Sequence, residues 1–414
     1  MTPDQVARRR AVEALRSGVP SWDAVMALGA GQPEAEDRFS ATLDAAENGK
    51  TQGLLLGAGF GAGKSHLLTH LAHIALNRGF AVSHVVISKE TPLYDPAKVF
   101  RAVVESLVGV ARTSGMLTDA AASLDPDTPR YAELTRWLHS ATSPIDERFA
   151  ATVLLHERLR GGEVPDSDET IEAVLRFWTG DPLRMPDVRR VLKAVGAAGM
   201  YTFSTVPARE LARQRMRFLP RLLRAAGYAG LVILFDEVEL IGRYTALQRG
   251  RSYAELARWV DGEPDDRTAP LAAVLAMTDD FEAAVLAGKD DRTKIPTRLR
   301  DKQTAEWAEI AQRAQKGIRH IERNLVLLEP PDAAELDRAY ALLKELHGAA
   351  FNWSPPDVPG LERLSATRMR QYIRAWINAW DLMRLDPDYQ PDTELIEVTT
   401  SYDEDETLEH FTAE

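Results

Sequence analysis

Short apolar runs alternate along the chain with longer stretches whose apolar residues recur at helical spacing. Val6, Ala11, Val12 and Leu15 share one stripe of a helix predicted over residues 4–17, which Gly18 and Pro20 stop, and a second helix is predicted from Pro33 to about Asn48. Gly53-Leu-Leu-Leu56 is apolar throughout and bounded by glycines, as expected of a strand buried on both faces, and a helical stretch follows from Leu67 to Leu76. Phe80–Ile87 reads as a second strand rich in β-branched residues, followed by helical spacing from Pro96 to Val110. From about Thr113 to Gly227 the pattern is helical, broken at Gly161-Gly162 and at the Pro165-Asp-Ser-Asp-Glu-Thr170 stretch, where Ser167 suits a helix cap. Strand character returns at Gly230–Phe235, at Leu271–Ala276 and at Asn324–Leu328, and helices are expected over Ala333–Leu346 and Ala366–Met383. Strands alternating with helices predict a parallel α/β sheet flanked by helices.

This pattern divides the chain into a helical lead-in (1–50), two halves of an α/β core (51–112 and 228–329), a helical insertion between them (113–227), a helical lid (330–390) and a tail (391–414). No internal repeat is evident. The 414 residues are enough for two or three domains, and the 45% hydrophobic content is ordinary for a globular protein. There is no cysteine, which excludes disulfides, a thiolate-ligated zinc and a thiol nucleophile, and points to the cytoplasm. The charged N-terminus has no signal-peptide core, and no run approaches the roughly 18 apolar residues of a membrane span, so neither export nor membrane insertion is expected. The formal charge of −12 argues at first against nucleic acid as a partner. Residues 391–414, however, hold nine of the acids and no Lys or Arg, leaving 53 acids against 50 bases elsewhere, a net of −3. The body is therefore nearly neutral, and the tail reads as a solvated segment or a partner-binding one.

Gly57-Ala-Gly-Phe-Gly-Ala-Gly-Lys64-Ser65 has the order needed to hold a polyphosphate. Glycines let backbone N–H groups converge on the oxygens, Lys64 brings charge to the β and γ phosphates, Ser65 offers a hydroxyl to Mg²⁺, and the next helix adds its N-terminal dipole. The expected contacts are Gly59, Phe60, Gly61, Ala62, Gly63, Lys64, Ser65 and His66. The strict pattern wants glycine where Ala58 stands, and Gly57 or Gly59 is expected to make the turn instead. The complementary half is the apolar run Leu231–Phe235 ending in Asp236-Glu237. A central parallel strand delivers such carboxylates to its C-terminal edge, where Asp236 suits the Mg²⁺ shell and Glu237 can polarise water for attack on the γ-phosphate. No Asn-Lys-x-Asp guanine loop is present, so ATP is the expected nucleotide. Thr278, after the next strand, stands where a polar side chain can sense the γ-phosphate. The charged stretch Asp291–Arg300, expected as a loop, offers Arg298 and then Arg300 as an arginine finger acting in trans, with Arg319 and Arg323 as competitors. Arg368 and Arg370, near the start of the last helix, are placed to reach back over the nucleotide.

The stretches RRRAVEALRSGVPSWDAV, GAGFGAGKSHLLTHLAHIAL, VVISKETPLYDPAKVFRAVVESL and ILFDEVELIGRYTALQRGRSYAELARW together resemble BREX-system ATP-binding proteins of the BrxD type, over nearly all of residues 5–385. That family is similar to the origin-recognition AAA+ ATPases and belongs to bacterial gene clusters that restrict phage. The resemblance implies an AAA+ type of P-loop fold, with Glu36-Asp37-Arg38 as an adenine-side box, Thr278 as a first sensor and the helix at Arg368 as a second. It also implies work with other defence proteins such as a helicase, as an oligomeric motor, loader or remodeller, with DNA contacted directly or through partners. Two other readings stay open: a slow ATP-gated switch or scaffold docking another defence protein, and a phosphotransferase acting on a metabolite.

Overall fold

Five parallel strands form one sheet: β1 (Gln52–Gly57), β2 (Ala81–Val86), β3 (Leu231–Asp236), β4 (Leu271–Met277) and β5 (Leu325–Leu327), in the spatial order β2-β3-β4-β1-β5. The computed structural model describes residues 2–19, 21–110, 115–141, 143–160, 167–262, 269–358 and 369–386. Gly161-Gly162, the helix start at Ala366, Arg368 and the acidic stretch 391–414 lie outside them. The central strands are apolar on both faces because helices cover both. Leu54, Leu56, Val82, Val232, Leu234, Val274 and Ala276 pack beneath helices Pro33–Glu47 and Lys64–Asn77. Leu55, Val85, Ile233, Phe235, Ala273 and Leu275, the alternate positions, face the larger core under helices Pro96–Glu105, Ala208–Ala225 and Ala246–Asp261.

Register aligns the strand ends. Gly57 of β1 pairs with Met277 of β4, Phe235 of β3 with Leu275 of β4, and Asp236 of β3 with Val86 of β2. The segments after β1, β3 and β4 therefore leave the sheet at the same edge. The helix expected over Pro96–Val110 ends at Glu105, because Val108 forms an antiparallel bridge to Val82 and closes the outer side of β2.

Between β2 and β3 the described residues form helices from Met116 to Ala225. The last of these, Ala208–Ala225, carries arginines that are buried yet partnered. Arg213 Nη2 lies 2.5 Å from Glu255 Oε1, Arg215 Nε donates to the Phe177 carbonyl at 2.9 Å, and Arg221 stacks 4.1 Å over Trp137. The first of these contacts ties helix Ala208–Ala225 to helix Ala246–Asp261 by a charge-assisted bond, and the other two hold it to its neighbouring helices between β2 and β3, one of them through a cation–π interaction.

The first helix, Pro3–Ser17, joins helix Ala333–Phe351 and helix Met369–Leu385 in a separate core of Ala11, Val12, Leu15, Leu343, Tyr372, Trp376, Ile377 and Trp380. A further short helix, Trp22–Leu28, capped by Ser21, continues from it where the sequence reading had only a connection. Within this core His347 accepts from Trp353 Nε1 at Nδ1 (2.9 Å), which leaves Nε2 to donate to Asp381 (3.2 Å). The first helix and the last two described helices thus build one helical body beside the sheet.

On the far face, helix Ala246–Asp261 lies against helix Ala305–Asn324 so closely that a Cβ on Gly317 would fall 2.0 Å from the Tyr253 carbonyl oxygen. Beside this crossing Arg249 holds Asp291 through two hydrogen bonds of 2.8 and 2.9 Å, and the Tyr253 hydroxyl donates to the same carboxylate at 2.7 Å. Gly317→Ala is expected to force the helices apart and to cost about 2–3 kcal/mol, the upper part of the range for overpacking a core. A urea midpoint followed by circular dichroism checks it, with Gln312→Gly at an exposed position of the same helix as a comparison expected to cost only about 0.5 kcal/mol, the difference in helix propensity.

Candidate nucleotide site

β1 ends at Gly57, and residues 58–63 turn into helix Lys64–Asn77. Gly61 and Gly63 take positive φ, 78° and 98°, so the left-handed steps fall there and not at Gly57 or Gly59, the positions expected to make the turn. Ala58 has no positive φ, and its N–H donates to the Met277 carbonyl at 3.1 Å, tying the loop to β4; a Cβ is therefore accommodated at this position. The Lys64 ammonium folds back to donate to the carbonyls of Ala58 (2.9 Å) and Gly59 (3.3 Å), which marks the space the loop encloses. The first N–H groups of the helix have no partner within it, the property that makes a helix N-terminus attract anions.

Two strands away, Asp236 ends β3 and Glu237 takes φ 57° and ψ 34°, a left-handed conformation rare for glutamate, before the 3₁₀ turn Val238–Arg243. Burial pushes the Asp236 carboxyl upward, but the His84 imidazole 3.8 Å away, a hydrogen bond from Ser65 and the Glu237 N–H donating at 2.9 Å hold it below the usual carboxylate range. The Glu237 carboxyl is raised, by burial first and by Asp236 second, with Lys64 and Arg243 opposing. Two neighbouring carboxylates are thus pushed in opposite directions, one toward its ionised form and one toward a group that can exchange a proton. Thr278, immediately after β4, is buried between the two strand ends.

A cavity of about 770 Å³ opens above this edge, lined by Phe60, Gly61, Ala62, Gly63, Lys64, Ser65, His66, Asp236, Glu237 and Arg370 among others. Gly59 lies behind it as an acceptor for Lys64. His66 Nε2 lies 2.6 Å from the Gly29 carbonyl oxygen; burial lowers its pKa, so the ring is a neutral donor there. Arg370 comes from the helical body; burial lowers its pKa and Arg374 adds to this, while Asp236 opposes both. Thr278 and Arg298 do not line this cavity. Arg298 sits on the exposed face of helix Asp291–Arg300, a helix where a loop was expected, formed as Asp291 anchors its first turn. Arg300 donates to Gln315, and Arg319 and Arg323 are exposed on the next helix. Of the adenine-side box only Glu36 reaches the cavity; Arg38 turns back to Glu34 at 2.9 Å.

Much of the remaining wall was not singled out from sequence. It includes Gly29-Ala-Gly-Gln32, Glu239, Arg243, Glu335 and Leu342. The Gln32 amide bonds the Glu329 backbone through both of its ends, at 3.0 Å each, and so fastens the N-terminal segment to the exit of β5. The only sequence signal for this wall was a pair of glycines, Gly29 and Gly31, both at positive φ.

A glycine loop at the end of one parallel strand, facing a paired acid at the end of another across a cavity, fits a P-loop nucleotide-binding protein. The chain belongs to the BREX system ATP-binding protein BrxC/D family, whose model matches residues 4–120 and 168–398. No curated protein and no solved structure matches the chain at a significant level. Membership assigns ATP binding and a role in phage defence beside other proteins of that system. Among the described residues no helix is long and apolar enough to cross a membrane.

The built Cβ at Gly63 meets nothing within 4 Å, so the backbone alone restricts this position. Gly63→Ala is expected to cost about 1–2 kcal/mol from the left-handed conformation, read as a lowered urea midpoint without loss of helical circular dichroism.

Proposed function

We propose that the chain is a BrxD-type AAA+ ATPase that hydrolyses ATP as an oligomer, acting as a motor, loader or remodeller with DNA-processing partners. The observation that supports this most is the convergence of Lys64, Ser65, Asp236 and Glu237 on one cavity at aligned strand ends. In this reading the loop N–H groups and Lys64 grip the phosphates, and Arg370 covers them from the helical body. Ser65 and Asp236 would hold Mg²⁺, and the depressed Asp236 carboxyl fits that role. The metal would supply charge neutralisation at the phosphates. Glu237 orients water and takes its proton, and Thr278, buried at the end of β4 and outside the cavity wall, would support the γ-phosphate side from behind. Arg298, exposed and outside its own cavity, suits a finger that completes the site of a neighbouring copy. The base would lie between the Gly29–Gln32 segment and Leu342, which line the same cavity. Residues 51–112 and 228–329 are proposed as the catalytic core, 113–227 as an insertion and 330–390 as a lid.

A second reading, a slow nucleotide-gated switch, is favoured by one observation: the cavity wall comes partly from the helical body, so a bound nucleotide would bridge the two bodies.

Steady-state ATPase assays over a protein concentration series, with and without double-stranded DNA, decide between the two. The motor reading expects specific activity to rise with protein concentration and to fall at least 100-fold in Glu237→Gln while ATP stays bound. Lys64→Ala is expected to weaken ATP binding at least tenfold by calorimetry. Turnover no higher than that of Glu237→Gln, with ATP bound, would support the switch. Activity also requires Glu237 ionised, and its pKa is raised; the acidic limb of the pH–rate profile should lie above the ordinary glutamate value of about 4.3. A limb at or below that value would remove Glu237 as the base.

A further inference from the structure

Helix Met185–Ala194, between β2 and β3, buries Val188, Val191 and Leu192 in the large core and leaves its opposite side exposed. That open side carries Arg189, Arg190 and Lys193, which helical spacing places within an arc of about 100°. Arg184, exposed at the N-terminal cap, extends the strip. Residues 184–193 thus hold four bases against one acid, Asp187, in a chain of formal charge −12. Little of this charge is neutralised internally. The Arg189 guanidinium lies 5.6 Å over the Phe203 ring, a contact that steadies it and keeps its charge. Arg190 and Asp187 are 3.6 Å apart, but their side chains are 66% and 55% exposed, so solvent screens the pair.

The helix is held as a rigid outer element. Gly180, at φ 130°, turns the chain after helix Ser167–Thr179, residues 180–184 lead into Met185–Ala194, and helix Arg148–Leu159 packs against both. Clustered like charges on such an element gain from a polyanion. A protein partner would want an apolar centre to its contact; between these cations no large apolar side chain is exposed. Phosphates need only the cations. A helix about 10–12 Å across also matches the roughly 12 Å major groove of a duplex.

We propose that helix Met185–Ala194 is a docking surface for duplex DNA, with Arg189, Arg190 and Lys193 on backbone phosphates. The proposal goes beyond the nucleotide-site reading and does not use it.

The test is fluorescence anisotropy of a labelled 20-base-pair duplex on the full chain, over a KCl series, with and without AMP-PNP. The parent should bind with a steep salt dependence. Replacing Arg189, Arg190 and Lys193 together by Gln should weaken binding at least tenfold at 50 mM KCl and lower the slope of log K against log salt by about 2–3, roughly one for each lost phosphate contact. These side chains are exposed, so far-UV circular dichroism should be unchanged; if the triple variant does not fold, Lys193→Gln alone should lower the slope by about one, and Lys193→Arg should restore it. Replacing Lys302, Arg319 and Arg323, exposed elsewhere, by Gln should leave affinity near the parent's. A parent that binds duplex in neither condition, an unchanged slope in the helix variants, or equal weakening by both triple variants overturns the proposal. Poly-glutamate that displaces the duplex at equal charge concentration also overturns it and assigns the helix to an acidic protein.

Discussion

Parallel pairing decides where each strand ends, and here it lines up Gly57, Met277 and Asp236 along one edge of the sheet. Adjacent strands lie about 4.8 Å apart, so β4 between β1 and β3 sets the glycine loop and the acidic pair roughly 10 Å from each other, about the span of a triphosphate with its metal. A slip of one residue would turn every apolar side chain to the opposite face, and the two cores on either side of the sheet forbid it. The site's geometry thus rests on hydrophobic packing that takes no part in its chemistry.

Local strain appears where that edge meets the cavity. Glu237 and the two loop glycines adopt left-handed backbone around the same cavity, and the strands and helices around them hold these conformations in place. The charges are arranged in the same economical way. Asp236 is held below the usual carboxylate range by donors, Glu237 is raised by burial and by its neighbour, and Glu239 is raised by burial. Three acids within four residues on a turn would repel one another without Lys64, Arg243 and Arg370 around the same space.

The helical body made from the first helix and the last two described helices adds a second constraint. Its core of Leu15, Trp376 and Trp380 is separate from the sheet's cores, while its residues Gly18 and Arg370 border the cavity. Arg370 packs on Gly18, within 3.2 Å of where a Cβ would stand, so the arginine's position depends on a residue 352 places earlier in the chain. Ligand in the cavity would therefore touch both bodies at once.

The sequence by itself determined the strands, the glycine loop with Lys64 and Ser65, and the acidic pair Asp236-Glu237. Each of these is written in local spacing: apolar runs bounded by glycine, and a lysine and serine at fixed offsets. The tertiary structure decided which glycines turn the loop: positive φ falls at Gly61 and Gly63, while Ala58 is tied to β4 through its N–H. It alone turned the expected arginine loop into a helix anchored by the buried Arg249–Asp291 pair, whose partners lie 42 residues apart. It alone brought Gly29–Gln32, Glu239 and Arg370 to one cavity and left Arg298 outside it. Proximity across hundreds of residues has no periodicity to read; it exists only once the sheet register and the packing of the first helix on the last two described helices have formed.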